Sequence, residues 1–194
     1  MEHKLVIFGG PAGVGKNAII NEILKKVKNS HDLITSTTRP KRINEVDMVD
    51  YFFLDNETFL QKLHNGEILG EYFREQTNCW YGVLIEKLEE FIGKYDLTIG
   101  DTQIAGTKIL KEKYNATTIF ILPDNMEVLE KRMKERSPLT ETELAERFAH
   151  TKREMEEDMP FYDFKVVNKD GKLEEAVDEV LEILKKVGFK FEMN

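Results

Sequence analysis

Cysteine is almost absent from this chain of 194 residues, which contains Cys79 alone. One thiol cannot close a disulfide within the chain, so the fold must depend on a packed core, and a reducing compartment fits this composition. The residues that precede the first apolar run, 1–4, leave no room for a signal peptide. We therefore expect a cytoplasmic protein.

Long apolar runs and an excess of positive charge are also missing. No stretch of about 18 apolar residues occurs, and we expect no membrane-spanning helix. The formal net charge is −8, whereas nonspecific nucleic-acid binding needs a basic surface. We therefore expect neither a membrane nor a nucleic acid as a partner. An anionic ligand would have to be held by local clusters of arginine and lysine.

A glycine-rich stretch near the N-terminus is the strongest signal. Residues 5–8 (LVIF) form a short apolar run, residues 10–16 (GPAGVGK) follow, and apolar residues then recur at helical spacing. A strand, a G-x-x-x-x-G-K loop and a helix are the context of a phosphate-binding loop, because glycines let backbone N–H groups surround an anion. The alternative is a tight turn that is glycine-rich by chance. The candidate residues for binding the phosphates of a nucleotide here are Pro11, Ala12, Gly13, Val14, Gly15, Lys16 and Asn17.

The residue after the lysine departs from the motif. Ser or Thr is typical there, since its hydroxyl binds Mg²⁺, but this chain has Asn17. A carboxamide oxygen can also bind Mg²⁺, with a longer reach. We therefore predict that the metal site at Asn17 is weakened or shifted.

A second cationic cluster follows at residues 35–42 (TSTTRPKR). Arg39 and Arg42 flank a proline-restricted turn and could clamp a phosphate with bidentate hydrogen bonds. The alternative is a solvated loop. Tyr51, at the start of the next apolar run, could offer its hydroxyl to the same anion or could simply pack.

Asp101 comes just past a predicted strand at residues 95–99. In open α/β sheets, ligands collect beyond the carboxyl ends of the strands, so Asp101 is a candidate for binding Mg²⁺ or substrate. The alternative is that Asp101 caps the N-terminus of a predicted helix at residues 104–114.

Arginines recur in residues 124–157, on two helical stretches separated by residues 137–140. Arg132 and Arg136 are four residues apart and share a helix face, where two like charges repel unless an anion lies between them. The alternative is pairing with Glu135, Glu143 or Glu146. The spacing of Thr140 and Glu143 predicts a capping box. Such arginines on a segment that closes over a nucleotide are common in phosphoryl transfer.

Apolar runs of strand length alternate with helical patterns along the chain, which predicts an α/β fold with a mostly parallel sheet. Strands are predicted at 5–8, 50–54, 68–73, 80–83, 95–99, 117–122 and 165–168. Helices are predicted after residue 16, around 59–63, over 84–92 and 104–114, twice within 124–157, and over 173–187 with Gly188 as the stop.

The chain as a whole resembles the guanylate kinase family. The matching pieces occur in the family's order, and it is their joint order and spacing that is specific. They are the phosphate loop, Thr37-Thr38-Arg39 with Arg42 and Glu45, Asp50-Tyr51, Glu71, Tyr81-Gly82, Asp101-x-Gln103, Arg132 with Arg136, Arg147, Tyr162-Asp163 and Val167-Asn168.

The resemblance implies a three-layer P-loop NTPase fold and one domain over residues 1–194. This domain would comprise a core (1–33, 91–123 and 158–194), a GMP-binding subdomain (34–90) and a helical lid (124–157). The implied activity is ATP-dependent phosphorylation of GMP, and of dGMP, to the diphosphate with release of ADP. ATP and Mg²⁺ are the implied cofactors, and GMP and ATP are the implied small-molecule partners.

The resemblance also implies roles for individual residues. Arg39, Arg42, Tyr51 and Tyr81 would hold the GMP phosphate. Glu71 would accept from the guanine N1–H and amino group, and Thr35 stands where a hydroxyl meets the base. The residues that would stabilise the transferring group are Lys16, Arg39, Arg132, Arg136 and Arg147, and Asn168 would lie near the ATP base.

Several positions depart from the family pattern. Besides Asn17, Val83 replaces a hydroxyl that contacts guanine, and Ile99 replaces the first Asp of an Asp-x-Asp motif. Further departures are Lys41, Asn44 and Ile104. Glu71 still favours guanine, since adenine has no N1–H to donate, and AMP should be rejected.

Two other functions remain open at this point. One is phosphorylation of another phosphorylated small molecule, as in ribose 1,5-bisphosphate phosphokinase, which is similar to guanylate kinase. The other is a guanylate-kinase-like binding module without catalysis, although such modules typically lack an intact phosphate loop.

Overall fold

The computed structural model describes residues 3–136 and 140–194, and within them all side chains except those of Gln76, Glu135 and Arg136. The strands of this part of the chain are β1 (Leu5–Gly9), β2 (Ser30–Asp32), β3 (Ser36–Thr37), β4 (Phe52–Phe53), β5 (Ile68–Arg74), β6 (Cys79–Leu84), β7 (Leu97–Asp101), β8 (Thr117–Pro123) and β9 (Phe164–Asn168). The helices are α1 (Lys16–Lys26), α2 (Asn56–His64), α3 (Ile85–Lys94), α4 (Ile104–Tyr114), α5 (Met126–Arg136), α6 (Glu141–Arg153) and α7 (Leu173–Val187).

Five strands form a central sheet in the order β2-β7-β1-β8-β9, and every neighbouring pair is parallel. Its inner strands are apolar and buried on both faces, as expected when helices cover a parallel sheet. One face packs with α1 and α7 through residues such as Val6, Ile23 and Val180. The other carries Leu5, Leu88 and Leu110. The predicted α/β class with a parallel central sheet is confirmed.

The remaining strands form a second, mixed sheet in the order β4-β3-β6-β5. Only the β3–β4 pair is parallel within it, whereas β6 runs antiparallel to both β3 and β5. The link between β5 and β6 is a single turn of 3₁₀ helix at Glu75–Thr77, short enough for an antiparallel hairpin. The alternation of strand and helix patterns did not predict this second sheet.

The helix boundaries agree closely with the sequence pattern. The helix over residues 104–114 and the closing helix with its Gly188 stop occur as predicted. The predicted capping box at Thr140 and Glu143 is confirmed, with both reciprocal hydrogen bonds present. Of the predicted break at 137–140, residues 137–139 lie outside the described residues. Among the helices that the structure describes, none combines the length and the apolar character needed to cross a membrane.

Candidate active site

The glycine-rich loop connects β1 to α1, as the motif predicts. Gly13 and Gly15 have φ values of 85° and 99°, a region that side chains with a Cβ rarely adopt. Lys16 is the first residue of α1, and its Nζ donates to the carbonyl oxygens of Gly10 (2.6 Å) and Pro11 (3.3 Å). The loop therefore gathers backbone donors, the positive end of a helix and one full charge, which suits a polyphosphate.

Asn168 braces this loop from the end of β9. Its side chain is buried, and its Nδ2 donates to the Val14 carbonyl oxygen at 2.8 Å. A Cβ on Gly15 would lie 2.4 Å from the same Nδ2. The side-chain amide of Asn168 therefore binds the loop backbone, and its direct role in this structure is to stabilise the conformation of the phosphate loop.

A cleft of about 240 Å³ opens beside the loop, lined by Gly13, Gly15, Arg132 and Asn168 among others. It is smaller than the roughly 300–1,000 Å³ of pockets that enclose a whole ligand, so it suits one part of a nucleotide, such as its base. Arg132, on α5, donates from Nη2 to Asp170 (3.0 Å) and from Nη1 to the Val14 carbonyl oxygen (3.4 Å). The ion-pair partner of Arg132 is thus Asp170 and is neither Glu143 nor Glu146; the side chain of Glu135, the third glutamate considered, lies outside the described part.

Asp101 ends β7 at the carboxyl edge of the central sheet, beside the phosphate loop. Its Oδ2 lies 3.9 Å from Lys16 Nζ. The alternative role as a helix cap is wrong, because Gln103 occupies the N-cap position of α4. The charge of Asp101 also contributes to raising the pKa of Tyr51, after the larger effect of burial.

Arg39 is the centre of a second cluster, on the segment that follows β3. Its Nη2 donates to Glu45 Oε1 at 2.7 Å, and the side chains of both residues are largely shielded from solvent. The hydrogen bond to Glu45 raises the pKa of Arg39, and the same bond lowers the pKa of Glu45. The guanidinium lies 5.5 Å from the ring centroid of Tyr51, and Tyr81 makes a smaller contribution to raising the pKa of Arg39. Arg42 is exposed, with Nη1 3.9 Å from Glu45.

Backbone pairing holds this cluster in place. Thr37 is buried on β3, its hydroxyl donates to the Trp80 carbonyl oxygen, and it accepts the backbone N–H of Arg39. Tyr81 pairs with Thr37 across β3 and β6. The rings of Tyr51 and Tyr81 meet edge to face, with centroids 6.2 Å apart. The structure therefore brings Arg39, Tyr51 and Tyr81 together, as the sequence suggested, with Glu45 fixing the arginine.

The candidate base-reading residues lie on the second sheet and the segment before it. Glu71 is exposed on β5, within the irregular register between Leu69 and Tyr72. Val83 pairs with Leu69 and is buried in the core. Thr35 is half-buried, and its carbonyl oxygen accepts the backbone N–H of Phe52. Glu71 is therefore accessible to a ligand, whereas Val83 is an apolar packing residue.

Gly70, the neighbour of Glu71 on β5, packs closely against α4. It has a φ of 62°, and a Cβ on it would lie 2.4 Å from the Cα of Gly106 on α4. We expect Gly70→Ala to lower the free energy of unfolding by about 3 kcal/mol, from a left-handed backbone and an overpacked contact. Gly66→Ala is the matched control, because Gly66 also has a positive φ but nothing lies within 4 Å of its added Cβ. Urea denaturation of both variants measures the difference; equal losses would show that the Gly106 contact is unimportant.

Two helices carry the remaining arginines. Arg147 lies on α6, half-buried, and its charge contributes to lowering the pKa of Glu143, mainly an effect of the Thr140 cap. Arg136 ends α5, and its side chain lies outside the described part.

Sequence reasoning missed Glu154, where a turn of π-helix begins after α6. Burial raises the pKa of Glu154, while the charges of His150 and Lys16 oppose that shift. Glu154 is therefore within electrostatic range of Lys16 in the phosphate loop.

Oxygen donors suited to Mg²⁺ occur beside Lys16. Asp101 offers a carboxylate, and Asn17, in the first turn of α1, is exposed. Within residues 3–136 and 140–194, no three His, Cys, Asp or Glu side chains form a metal-binding group. A Mg²⁺ ion here would thus depend on nucleotide phosphates and water as well as on protein, which is its usual mode of binding. The donor set fits the ion.

Comparison with known proteins agrees with this geometry. The family model described as guanylate kinase matches residues 2–187. Guanylate kinases of Bacteroides thetaiotaomicron and Prochlorococcus marinus are 37% and 34% identical to the chain, covering 95% and 94% of it and 90% and 97% of their own lengths. The crystal structure of guanylate kinase from Anaplasma phagocytophilum superposes with a TM-score of 0.67 at 26% identity, covering 97% of this chain and 89% of that one.

Proposed function

The chain belongs to the guanylate kinase family, and from that membership we propose that it transfers the γ-phosphoryl group of ATP to GMP. An oxygen of the GMP phosphate forms a bond to the γ-phosphorus, and the bond from that phosphorus to the β,γ-bridging oxygen breaks. The products are GDP and ADP. The contacts assigned to guanine involve the base and not the ribose 2′-hydroxyl. We therefore expect dGMP to be a substrate as well.

The observation that supports this reaction most is the position of Asp101 between two anion-binding clusters. On one side, its carboxylate is 3.9 Å from Lys16 of the phosphate loop. On the other, its charge reaches Tyr51, which packs against Arg39. Two phosphate groups held at these clusters would be neighbours, as direct transfer between two nucleotides requires.

On the donor side, we assign the loop residues 11–17 to the phosphates of ATP. Lys16 would neutralise charge that develops on the γ-phosphoryl oxygens, which is where electrostatic stabilisation accelerates such transfers. Arg132 borders the cleft beside the loop, and Arg136 and Arg147 would join it from the lid (residues 124–157). Asn168 would act on ATP through the loop that it braces.

On the acceptor side, we assign Arg39, Arg42, Tyr51 and Tyr81 to the GMP phosphate. Glu45 holds Arg39 in place, so its guanidinium is already positioned for a bidentate contact. Glu71 would accept from guanine N1–H and the amino group, and Thr35 would meet the base. Val83 cannot add the hydroxyl hydrogen bond, which is worth about 0.5–1.5 kcal/mol.

Mg²⁺ is part of the proposal, with Asp101 and Asn17 as its protein-side oxygen donors. When bound, the ion would neutralise charge on the phosphates of ATP. We also retain the division into a core (1–33, 91–123 and 158–194), a GMP-binding subdomain (34–90) and a lid (124–157), and a cytoplasmic location. The second, mixed sheet lies wholly within the range of the GMP-binding subdomain, which supports that division.

A substrate panel tests the proposed function. ADP formation would be measured with ATP and Mg²⁺ and, in turn, GMP, dGMP, AMP, CMP, UMP and ribose 1,5-bisphosphate. We expect turnover with GMP and dGMP alone. Turnover with the ribose bisphosphate but no nucleotide would favour the related phosphokinase, and no turnover in a folded sample that binds GMP would favour a binding module.

The role of Glu71 is tested by Glu71→Gln. The variant loses a charged acceptor for the base, worth about 1.5–3 kcal/mol, so kcat/KM for GMP should fall roughly 10- to 100-fold while KM for ATP stays nearly constant. Steady-state kinetics with each substrate varied in turn measures both. Glu75→Gln, an exposed glutamate just past β5, is the control and should change neither. Equal losses for GMP and ATP would refute base reading by Glu71.

A further inference from the structure

A carboxylate that the sequence did not single out lies at the end of β2. Asp32 is the last residue of that strand. Burial, with a smaller contribution from the charge of Asp101, raises the pKa of Asp32 to about 6. Among the described residues, no Lys, Arg or His nitrogen lies within 4.0 Å of its carboxylate, since Asp32 takes part in none of the ion pairs there. Burying the charge of Asp32 close to that of Asp101, with no cation paired to Asp32 in the described part of the chain, is unfavourable, so the presence of this carboxylate needs an explanation.

The register of the central sheet relates Asp32 to the phosphate site. Asp32 and Ile99 are direct partners across β2 and β7, and Asp101 is two residues further along β7. Directly paired residues and residues two apart lie on the same face of a sheet, so all three share a face. From the strand spacing and the rise per residue, the Cα atoms of Asp32 and Asp101 are about 8 Å apart. Two carboxylates at that separation can reach one hydrated cation between them.

Ile99 occupies the place between them and offers no oxygen. It is fully buried and packs with the apolar residues on the α1 side of the sheet. This is the position where the family pattern has a carboxylate. The neighbouring strand of this chain carries one instead, directly opposite.

We propose that Asp32 is a positioning residue for the phosphoryl transfer: together with Asp101 it orients the hydrated Mg²⁺ of the bound nucleotide, supplying from β2 the charge that Ile99 does not supply from β7. The inference rests on the proposed function. In this role a second carboxylate would compensate for the weaker oxygen donor that Asn17 provides at the loop. Lys16, 3.9 Å from Asp101, offsets only one of the two negative charges.

Direct measurement of metal binding tests this role. Mn²⁺, an EPR-visible substitute for Mg²⁺, would be titrated into the protein bound to a non-hydrolysable ATP analogue. Asp32→Asn keeps the shape and removes the charge. We expect it to weaken Mn²⁺ binding by about 10-fold, and to raise the Mg²⁺ concentration for half-maximal activity by a similar factor, as is typical for outer-shell carboxylates. KM for GMP should not change.

Two further variants sharpen the test. Asp178→Asn removes an exposed carboxylate that pairs with Lys26, at the opposite end of α1 from Lys16, and should bind Mn²⁺ as the wild type does. Asp32→Leu combined with Ile99→Asp moves the carboxylate back to β7, and recovery of Mn²⁺ affinity is expected.

Unchanged Mn²⁺ affinity in Asp32→Asn would overturn the proposal, even if thermal stability changed. This outcome is distinct from failure of the proposed function. That failure would show as a wild type that makes no GDP, whereas the Mn²⁺ titration needs no turnover.

Discussion

Replacing Lys16 with methionine is expected to lower kcat for GDP formation by about 1,000-fold. The Lys16 ammonium is the full positive charge inside the phosphate loop, and removing one preorganised donor to a transition-state charge typically costs 100- to 1,000-fold. The side chain contacts two loop carbonyl oxygens and Asp101, and Lys16 belongs to neither of the two apolar core clusters. The melting temperature should therefore remain within a few degrees of the wild type. Single-turnover rates together with a thermal melt measure both quantities.

Lys25→Met is the matched control for this prediction. Lys25 lies on the same helix, is exposed and pairs with Glu22, an arrangement that contributes little to stability. It should retain full activity. A Lys16→Met variant that turns over at the wild-type rate would contradict the assignment of the loop to ATP.

Replacing Arg39 with methionine is expected to lower kcat/KM for GMP by roughly 100- to 1,000-fold, with little effect on KM for ATP. The guanidinium is shielded, fixed by Glu45 and flanked by the ring of Tyr51, so it is preorganised for a phosphate. Arg39→Lys should recover only part of the loss, because a single ammonium cannot form the bidentate contact. Initial rates with varied GMP at saturating ATP provide the measurement.

The control for Arg39 is Arg74→Met, at the exposed end of β5. It changes the same charge without touching the cluster and should leave kcat/KM unaffected. If Arg39→Met instead raised KM for ATP and GMP equally, the assignment of this arginine to the acceptor would be wrong.

Local motifs predicted the geometry of the phosphate loop well. The phosphate loop needs only a strand, a glycine pattern and a helix, all of which are contiguous in the chain, and the structure has them in that order. The position of Asp101 at the edge of the sheet was predictable, because Asp101 follows an apolar strand in the sequence and ligands bind beyond the carboxyl ends of parallel strands. The capping box at Thr140 was predictable for the same reason, since its two residues are three apart.

Features that depend on long-range pairing could not be predicted. Asp32 became a candidate only because it pairs with Ile99, 67 positions away in the sequence. The register of that pairing could not be predicted, since β2 has only three residues. Arg132 pairs with Asp170 across a turn that follows another strand. The strands predicted at 50–54, 68–73 and 80–83 contain or overlap β4, β5 and β6, but their assembly into a separate mixed sheet was missed. That assembly depends on β3, which has only two residues and was not predicted, and on pairing between distant segments.

The most direct test of the central claim is ³¹P NMR of the wild-type protein with equimolar ATP and GMP in the presence of Mg²⁺. The resonances of both substrates and both products are followed in one sample. Direct transfer predicts that ADP and GDP appear in equal amounts, without inorganic phosphate. Formation of ADP with inorganic phosphate but no GDP, or no change at all in a folded sample, would contradict the account.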